Sequence, residues 1–423
     1  MGSVRILLFT GKGGVGKTTA AAATALRLAG RGHKTLIISA DPAHSLADAL
    51  GGPRIGDRPA EVAPGLMACQ VDGLDRMQQQ WTGEAGWATI TERLSAAASA
   101  SGLDPIVAEE LTMLPGLDEL MAILALEEEV ATGLYDAVVV DCAPTGQTLR
   151  LLALPDVLDR YLERLYPVHQ RLLRSIGLLG QGGPSSTRGG AALALALSRL
   201  HERLMILRKL LTDPGITRIR LVLTPESLAL AEARRAATAL ALFGYTVDGV
   251  IVNRVVDDRA VGLAGMPGWL QAWAAAQQRV LADVQSSFPS LPIRVIQHQG
   301  EEPVGASPLN GVADQLYGGL PEGVDPLAGP EPPGLLQVLA EGGHYLLRLT
   351  IPHVRSAEVT LNRVGDELAV RVEGHRRLLA LPGLLIRCRI IDAVLADGVL
   401  TVRFEPDPER WPEELLRAHR EQA

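Results

Sequence analysis

Gly11-Lys12-Gly13-Gly14-Val15-Gly16-Lys17-Thr18-Thr19 follows an apolar run from Val4 to Phe9 and opens an alanine-rich stretch from Thr18 to about Arg31. Strand, glycine loop and helix in that order turn a G-x-x-x-x-G-K-[ST] match into a phosphate-binding loop. Glycines reach backbone angles that a Cβ forbids, so successive N–H groups can turn inward around phosphate oxygens. The helix N-terminus adds partial positive charge at the same point. The expected phosphate contacts are Gly11, Gly13, Gly14, Val15, Gly16, Lys17, Thr18 and Thr19. Lys17 would reach the outer phosphates, and the Thr18 hydroxyl would complete a Mg²⁺ shell. Composition supports the reading: of 40 basic residues only Lys12, Lys17, Lys34 and Lys209 are lysines, and two of the four stand in this loop. A loop that needs a compact ammonium rather than a guanidinium fork is the simplest account.

Working outward, Lys34 to Ser39 reads as a second buried strand, ending at Asp41-Pro42-Ala43-His44-Ser45 and a short helix. Ligands of open α/β sheets sit at the carboxyl ends of strands, which places Asp41 near the phosphates. A carboxylate there can orient or deprotonate the attacking water, with Pro42 and Ser45 as switch positions beside it. Asp before Pro is also a common turn or helix cap, and His44 receives no chemical role. The run Tyr135 to Asp141 is another buried strand, ending in Asp141-Cys142-Ala143-Pro144-Thr145-Gly146. Apolar residues followed by Asp at a strand end is the Walker-B arrangement, in which Asp141 holds a Mg²⁺-bound water. Pro144, Thr145 and Gly146 form a second switch, whose backbone N–H groups at Thr145 and Gly146 can sense the γ-phosphate. Cys142 reads as a small buried filler. Asn253, at the end of the strand Thr246 to Asn253, is placed to read adenine.

The remaining pattern divides the chain. Residues 51–65 read as loop, Leu66 to Val71 as a strand, and 73–133 and 149–211 as helical insertions, the second broken by the glycine- and serine-rich stretch 180–190. Strands at 218–223 and 293–296 alternate with helices at 226–243 and 268–286, which gives a doubly wound, mostly parallel α/β domain over residues 1–320. Residues 321–333 hold five prolines and read as a linker. Beyond it the period becomes two, in runs at 344–351, 358–362, 367–372, 388–391 and 399–404, and predicts a small all-β sandwich over 334–405 before a helical tail, 406–423. Net charge is −8 and aromatics are 4%, so neither a nucleic-acid footprint nor a stacking platform is indicated. No signal segment or membrane span is evident, and Cys69, Cys142 and Cys388 are too far apart for a metal site. A reducing cytoplasm is the expected compartment.

Residues 1–320 resemble the arsenical-pump and tail-anchored-protein-targeting ATPases. The resemblance rests on the lysine-bearing loop 11–18, Asp41 to Ser45, Asp141 to Gly146 and Asn253. It implies hydrolysis of ATP with Mg²⁺ by a homodimer, in which Lys12 reaches the partner's nucleotide and Asp41 serves the attacking water. The zinc-binding C-x-x-C pair of the targeting ATPases and the clustered cysteines of arsenite-stimulated members have no counterpart, so no zinc is expected. Residues 341–405 resemble the α-crystallin domain of small heat-shock proteins, through Ala393-Val394-Leu395-Ala396-Asp397-Gly398-Val399-Leu400. The I-x-I tail that knits heat-shock oligomers is absent after residue 405, so large assemblies are not expected. A fusion of these two parts without the zinc pair resembles one branch of the ATPase family.

The expectation is a cytoplasmic homodimeric ATPase whose closure on ATP shapes a surface for an apolar helical client, built on the insertion 149–211. Two other readings stand beside it: a small-heat-shock-like holdase with a regulatory ATPase module, and the soluble motor of an anion pump.

Overall fold

The computed structural model describes residues 4–40, 45–71, 117–142, 145–146, 149, 199, 202–256, 267–319, 326–327 and 334–411. Asp41, Pro42, His44 and Pro144, most of both helical insertions, most of the linker and most of the C-terminal tail lie outside these residues. The central sheet has eight strands and is mostly parallel. The chain forms two compact units, residues 1–217 with 299–327 and residues 218–298 with 328–423.

In the first unit, β1 (Arg5–Thr10), β2 (Thr35–Ser39), β3 (Ala60–Ala63), β4 (Leu66–Gln70) and β5 (Ala137–Asp141) lie in the order β3-β4-β2-β5-β1. The unbroken apolar runs of β1, β2 and β5 are what a parallel strand covered on both faces requires, and Ile6, Phe9, Leu36, Ile37, Ile38 and Val139 are fully buried. β5 pairs in parallel with both β1 and β2, and Asp141 stands level with Phe9 on one side and Ser39 on the other. Three carboxyl ends therefore emerge together. Helix α1 (Lys17–Gly30) returns from the glycine loop, with Ala20 to Ala23 and Ala25 buried. Their small side chains let its axis lie close to neighbouring elements. Helices α2 (Ser45–Leu50) and α3 (Leu117–Ala131) follow β2 and precede β5.

Two elements of this unit were not read from the sequence. Strand β3 is short, mostly exposed and antiparallel to β4, so it carries no apolar alternation. Helix α6 (Ala306–Tyr317) packs on α1, where Thr24 and Tyr317 share a 2.6 Å hydroxyl hydrogen bond and Arg27 pairs with Asp314. Leu327, inside the expected linker, is buried, and its carbonyl accepts Arg5 Nη2 at 3.2 Å.

The second unit holds β6 (Thr217–Leu223), β7 (Val247–Val255) and β8 (Ile293–Gln297), parallel and in that order, with α4 (Ser227–Phe243) and α5 (Gly268–Ser287) between them. Arg220 and Asp248, both buried, pair through two 3.3 Å contacts across β6 and β7. The rest is a sandwich of two antiparallel sheets. One runs β14 (Cys388–Ala396), β15 (Val399–Pro406), β10 (His344–Thr350), β9 (Leu336–Glu341); the other runs β11 (Val359–Val364), β12 (Glu367–Val372), β13 (His375–Ala380). Alternate residues Leu347 and Leu349, Leu368, Val370 and Val372, and Leu400, Val402 and Phe404 fill the space between them. The β14–β15 hairpin turns at Asp397 and Gly398, both left-handed, as a two-residue loop between twisted strands demands. β9 and β13 escaped the sequence reading: β9 is exposed along its whole length, and β13 opens on His-Arg-Arg.

The sandwich core does not close on itself. Leu242 of α4 belongs to the same buried cluster. Thr238 Oγ1 donates to the carbonyl of Pro352 at 2.7 Å, and the Arg377 guanidinium donates to the carbonyl of Leu242 in the last turn of α4. That cation meets the negative end of the helix.

Candidate nucleotide site

The site is assembled at the carboxyl ends of β1, β2 and β5. The loop 11–16 leaves β1 and enters α1 through Gly14 at φ +78° and Gly16 at φ +92°, where a side chain would be strained. Val15 is buried and anchors the loop, while Lys12, Gly13 and Gly14 are exposed. Lys17 is only 5% exposed, and its Nζ donates to the carbonyl of Lys12 at 3.5 Å, so the ammonium lies over its own loop.

Thr18 is the junction. Its hydroxyl donates to Asp141 Oδ2 at 2.7 Å and lies 3.0 Å from the Ser45 hydroxyl. Three oxygen-bearing side chains from three segments thus converge. Asp141 is fully buried because β5 is an inner strand. A partly buried hydroxyl–carboxylate cluster, with no sulfur or imidazole in it, is a donor set for a hard cation such as Mg²⁺ rather than a softer metal. Among the described residues no grouping of three or more His, Cys, Asp and Glu side chains that could hold a metal ion occurs.

The segment after β5 is tied to the loop. Cys142 N–H donates to Phe9 O at 3.1 Å and Thr145 N–H to Gly11 O at 3.2 Å. The Thr145 N–H therefore holds the phosphate loop, and Gly146 beside it is exposed. Burial, reinforced by the Asp141 charge, pushes the Cys142 thiol up to about 12, so it stays protonated and unreactive.

Asn253 belongs to the second unit and is buried in β7. The strand runs two residues past it, to Val255, and the register with β8 shifts between Val252 and Val255. At this irregularity Arg254 takes φ +60°, and Asn253 Oδ1 accepts the Arg254 N–H at 2.8 Å. Gln277 of α5, buried, accepts the Val256 N–H at 2.9 Å and donates to Arg254 O at 3.5 Å. A glutamine inside an amphipathic helix gives no sequence signal, so Gln277 is legible only in the structure.

Comparison with known proteins finds family models and relatives that this chain matches. Residues 4–318 match the family model for anion-transporting ATPases, and residues 342–404 match that of the HSP20-like domain found in ArsA. A Chlorobaculum tepidum protein provisionally named arsenical pump-driving ATPase is 33% identical over 95% of this chain and 96% of its own length. Protein Rv2184c of Mycobacterium tuberculosis is 37% identical over 96% of this chain and 97% of its own. The ATPase GET3B of Arabidopsis thaliana is 33% identical over 58% of this chain and 63% of its own.

Proposed function

We propose, for a chain that belongs to the anion-transporting ATPase family and carries an HSP20-like domain behind it, a Mg²⁺-dependent ATPase that works as a homodimer. Its closure on ATP controls the binding of an apolar client segment. The observation that carries the nucleotide part is the meeting of Thr18 with Asp141 and Ser45 beside a loop that turns through positive φ at Gly14 and Gly16. Thr18 and Asp141 would hold Mg²⁺, Asp141 through water, and the cation would neutralise charge on the β- and γ-phosphates.

This chain's residues would do the rest. Lys17 leaves the Lys12 carbonyl for the phosphates. Asp41 orients the attacking water and accepts its proton. Lys12, exposed at the loop tip, is delivered to the nucleotide of a second copy. Release of the Thr145 N–H from Gly11 would let the switch Pro144 to Gly146 respond to the γ-phosphate. Asn253 reads the base.

No helix among the described residues is long and apolar enough to cross a membrane, and the client surface is assigned to the insertion 149–211 on its leucine- and alanine-rich composition. The HSP20-like match favours a second reading, in which the β-domain itself restrains unfolded chains.

Mixing Lys12→Ala subunits with Asp41→Asn subunits tests the dimeric mechanism. Each variant alone should turn over ATP poorly, and the mixture should regain activity because one competent site forms per heterodimer. No recovery at concentrations where the subunits exchange, or undiminished turnover by a wild-type monomer at nanomolar concentration, overturns it.

A further inference from the structure

A non-glycine residue at positive φ persists only where its surroundings over-determine it, and such residues gather at ligand sites. Arg254 is one, at φ +60°, at the carboxyl end of β7. Three bonds hold it. Asn253 Oδ1 turns back onto the Arg254 N–H at 2.8 Å, while Gln277 takes the Val256 N–H at 2.9 Å and reaches Arg254 O at 3.5 Å. The β7–β8 ladder skips between Val252 and Val255, so backbone pairing does not hold this stretch. The carbonyl of Val255 accepts His298 N–H at 2.8 Å, and the ladder is regained there.

Gln277 is therefore a buried amide whose two ends match one donor and one acceptor of a strand-end bulge. Bulges re-aim the side chains beside them. The side chain beside this one is Asn253, whose amide plane is fixed by its bond to Arg254. We infer that Gln277 is a positioning residue for purine recognition: by clamping the Arg254–Val256 backbone it orients the Asn253 carboxamide toward the base. The inference rests on the reading of Asn253 as the base contact.

The test uses the full chain and three probes: ATP, GTP and inorganic tripolyphosphate. Wild type should prefer ATP to GTP. Gln277→Leu should lower that preference about tenfold, the value of one well-made hydrogen bond, while tripolyphosphate binds within about twofold of wild type because the phosphate loop is untouched. Gln277→Glu keeps the acceptor for Val256 and loses the donor to Arg254, so it should fall between the two. If Asn253→Ala loses the preference and both Gln277 variants keep it, the inference fails and the base reading stands. If Asn253→Ala leaves the preference intact, or wild type has none, the base reading fails and takes the inference with it. Equal loss of ATP and tripolyphosphate binding in Gln277→Leu would show a structural role only. Should that variant not fold, Gln277→Glu decides, and wild-type preference there overturns the inference.

Discussion

The Thr18 hydroxyl donates a 2.7 Å hydrogen bond to Asp141 Oδ2, joining the first turn of α1 to the end of β5 across 123 residues of sequence. Each is a ligand candidate for the same cation, and each is held by the other. Substituting either should therefore act on metal dependence before it acts on nucleotide affinity.

Asp141→Asn keeps the shape and removes the charge. It should raise the Mg²⁺ concentration needed for half-maximal ATPase by at least about tenfold and lower turnover at saturation, since metal-held charge stabilisation belongs to the transition state. Thr18→Val should shift the same titration in the same direction. A magnesium titration superimposable on wild type in both variants would remove these residues from the metal site.

Arg220 and Asp248 form a buried ion pair between β6 and β7. Removing one partner strands the other charge in the sheet, so Arg220→Met should cost about 3–5 kcal/mol in chemical denaturation. Arg220→Met with Asp248→Leu should recover most of that loss, because two apolar side chains leave no orphan. A double variant no more stable than the single one would show that the pair contributes more than its own neutralisation.

Leu242 lies in the sandwich core although it belongs to a helix of the α/β sheet. Leu242→Ala should destabilise by about 2–4 kcal/mol through the cavity it leaves. Arg377→Ala, which uncaps the α4 carbonyl, should add to this less than additively because the two sites touch. Deleting residues 334–423 should lower the melting temperature of what remains, since α4 would expose Leu242 to water. A truncated protein with wild-type melting and ATPase would show that the sandwich is merely appended.

His353 is left-handed at φ +63° and sits edge-on to Phe288 with ring centroids 4.9 Å apart. Burial, then the nearby Arg234 charge, lowers its pKa from 6.5 to about 4. The unfolded chain thus binds a proton that the folded one refuses, so this contribution is intact above about pH 6.5 and is lost as pH falls toward 4. The loss is roughly 1–2 kcal/mol once partial solvent exposure is allowed for. Stability measured against pH should fall over that window, and His353→Gln should flatten the fall. An unchanged slope in the variant would assign it to other groups.

The strands around the phosphate loop were legible because inner parallel strands must be apolar on both faces, and a continuous run such as Val138 to Val140 shows it without alignment or coordinates. The alternating sandwich strands were legible for the complementary reason, one buried face each. β3, β9 and β13 were not, because they lack clean alternation; α6 does bury a helical stripe at Leu309, Val312, Ala313 and Leu316, but it follows a loop and starts with no side-chain cap. Asp41, Pro42 and Pro144 lie outside the described residues, and their roles rest on sequence.

What the sequence determined by itself is local. A glycine loop that must take positive φ, a lysine in an arginine-rich chain and a carboxylate at the end of a buried run are each encoded within a few neighbouring residues. Only the tertiary structure decided which of these meet. Thr18 finds Asp141 because β5 inserts between β1 and β2; Leu242 finds the sandwich because α4 and the β-domain share one core; Gln277 finds Arg254 because α5 passes beside a bulge. Strand order, shared cores and clamped bulges are pairings between distant segments, and distance along the chain leaves no periodicity from which to read them.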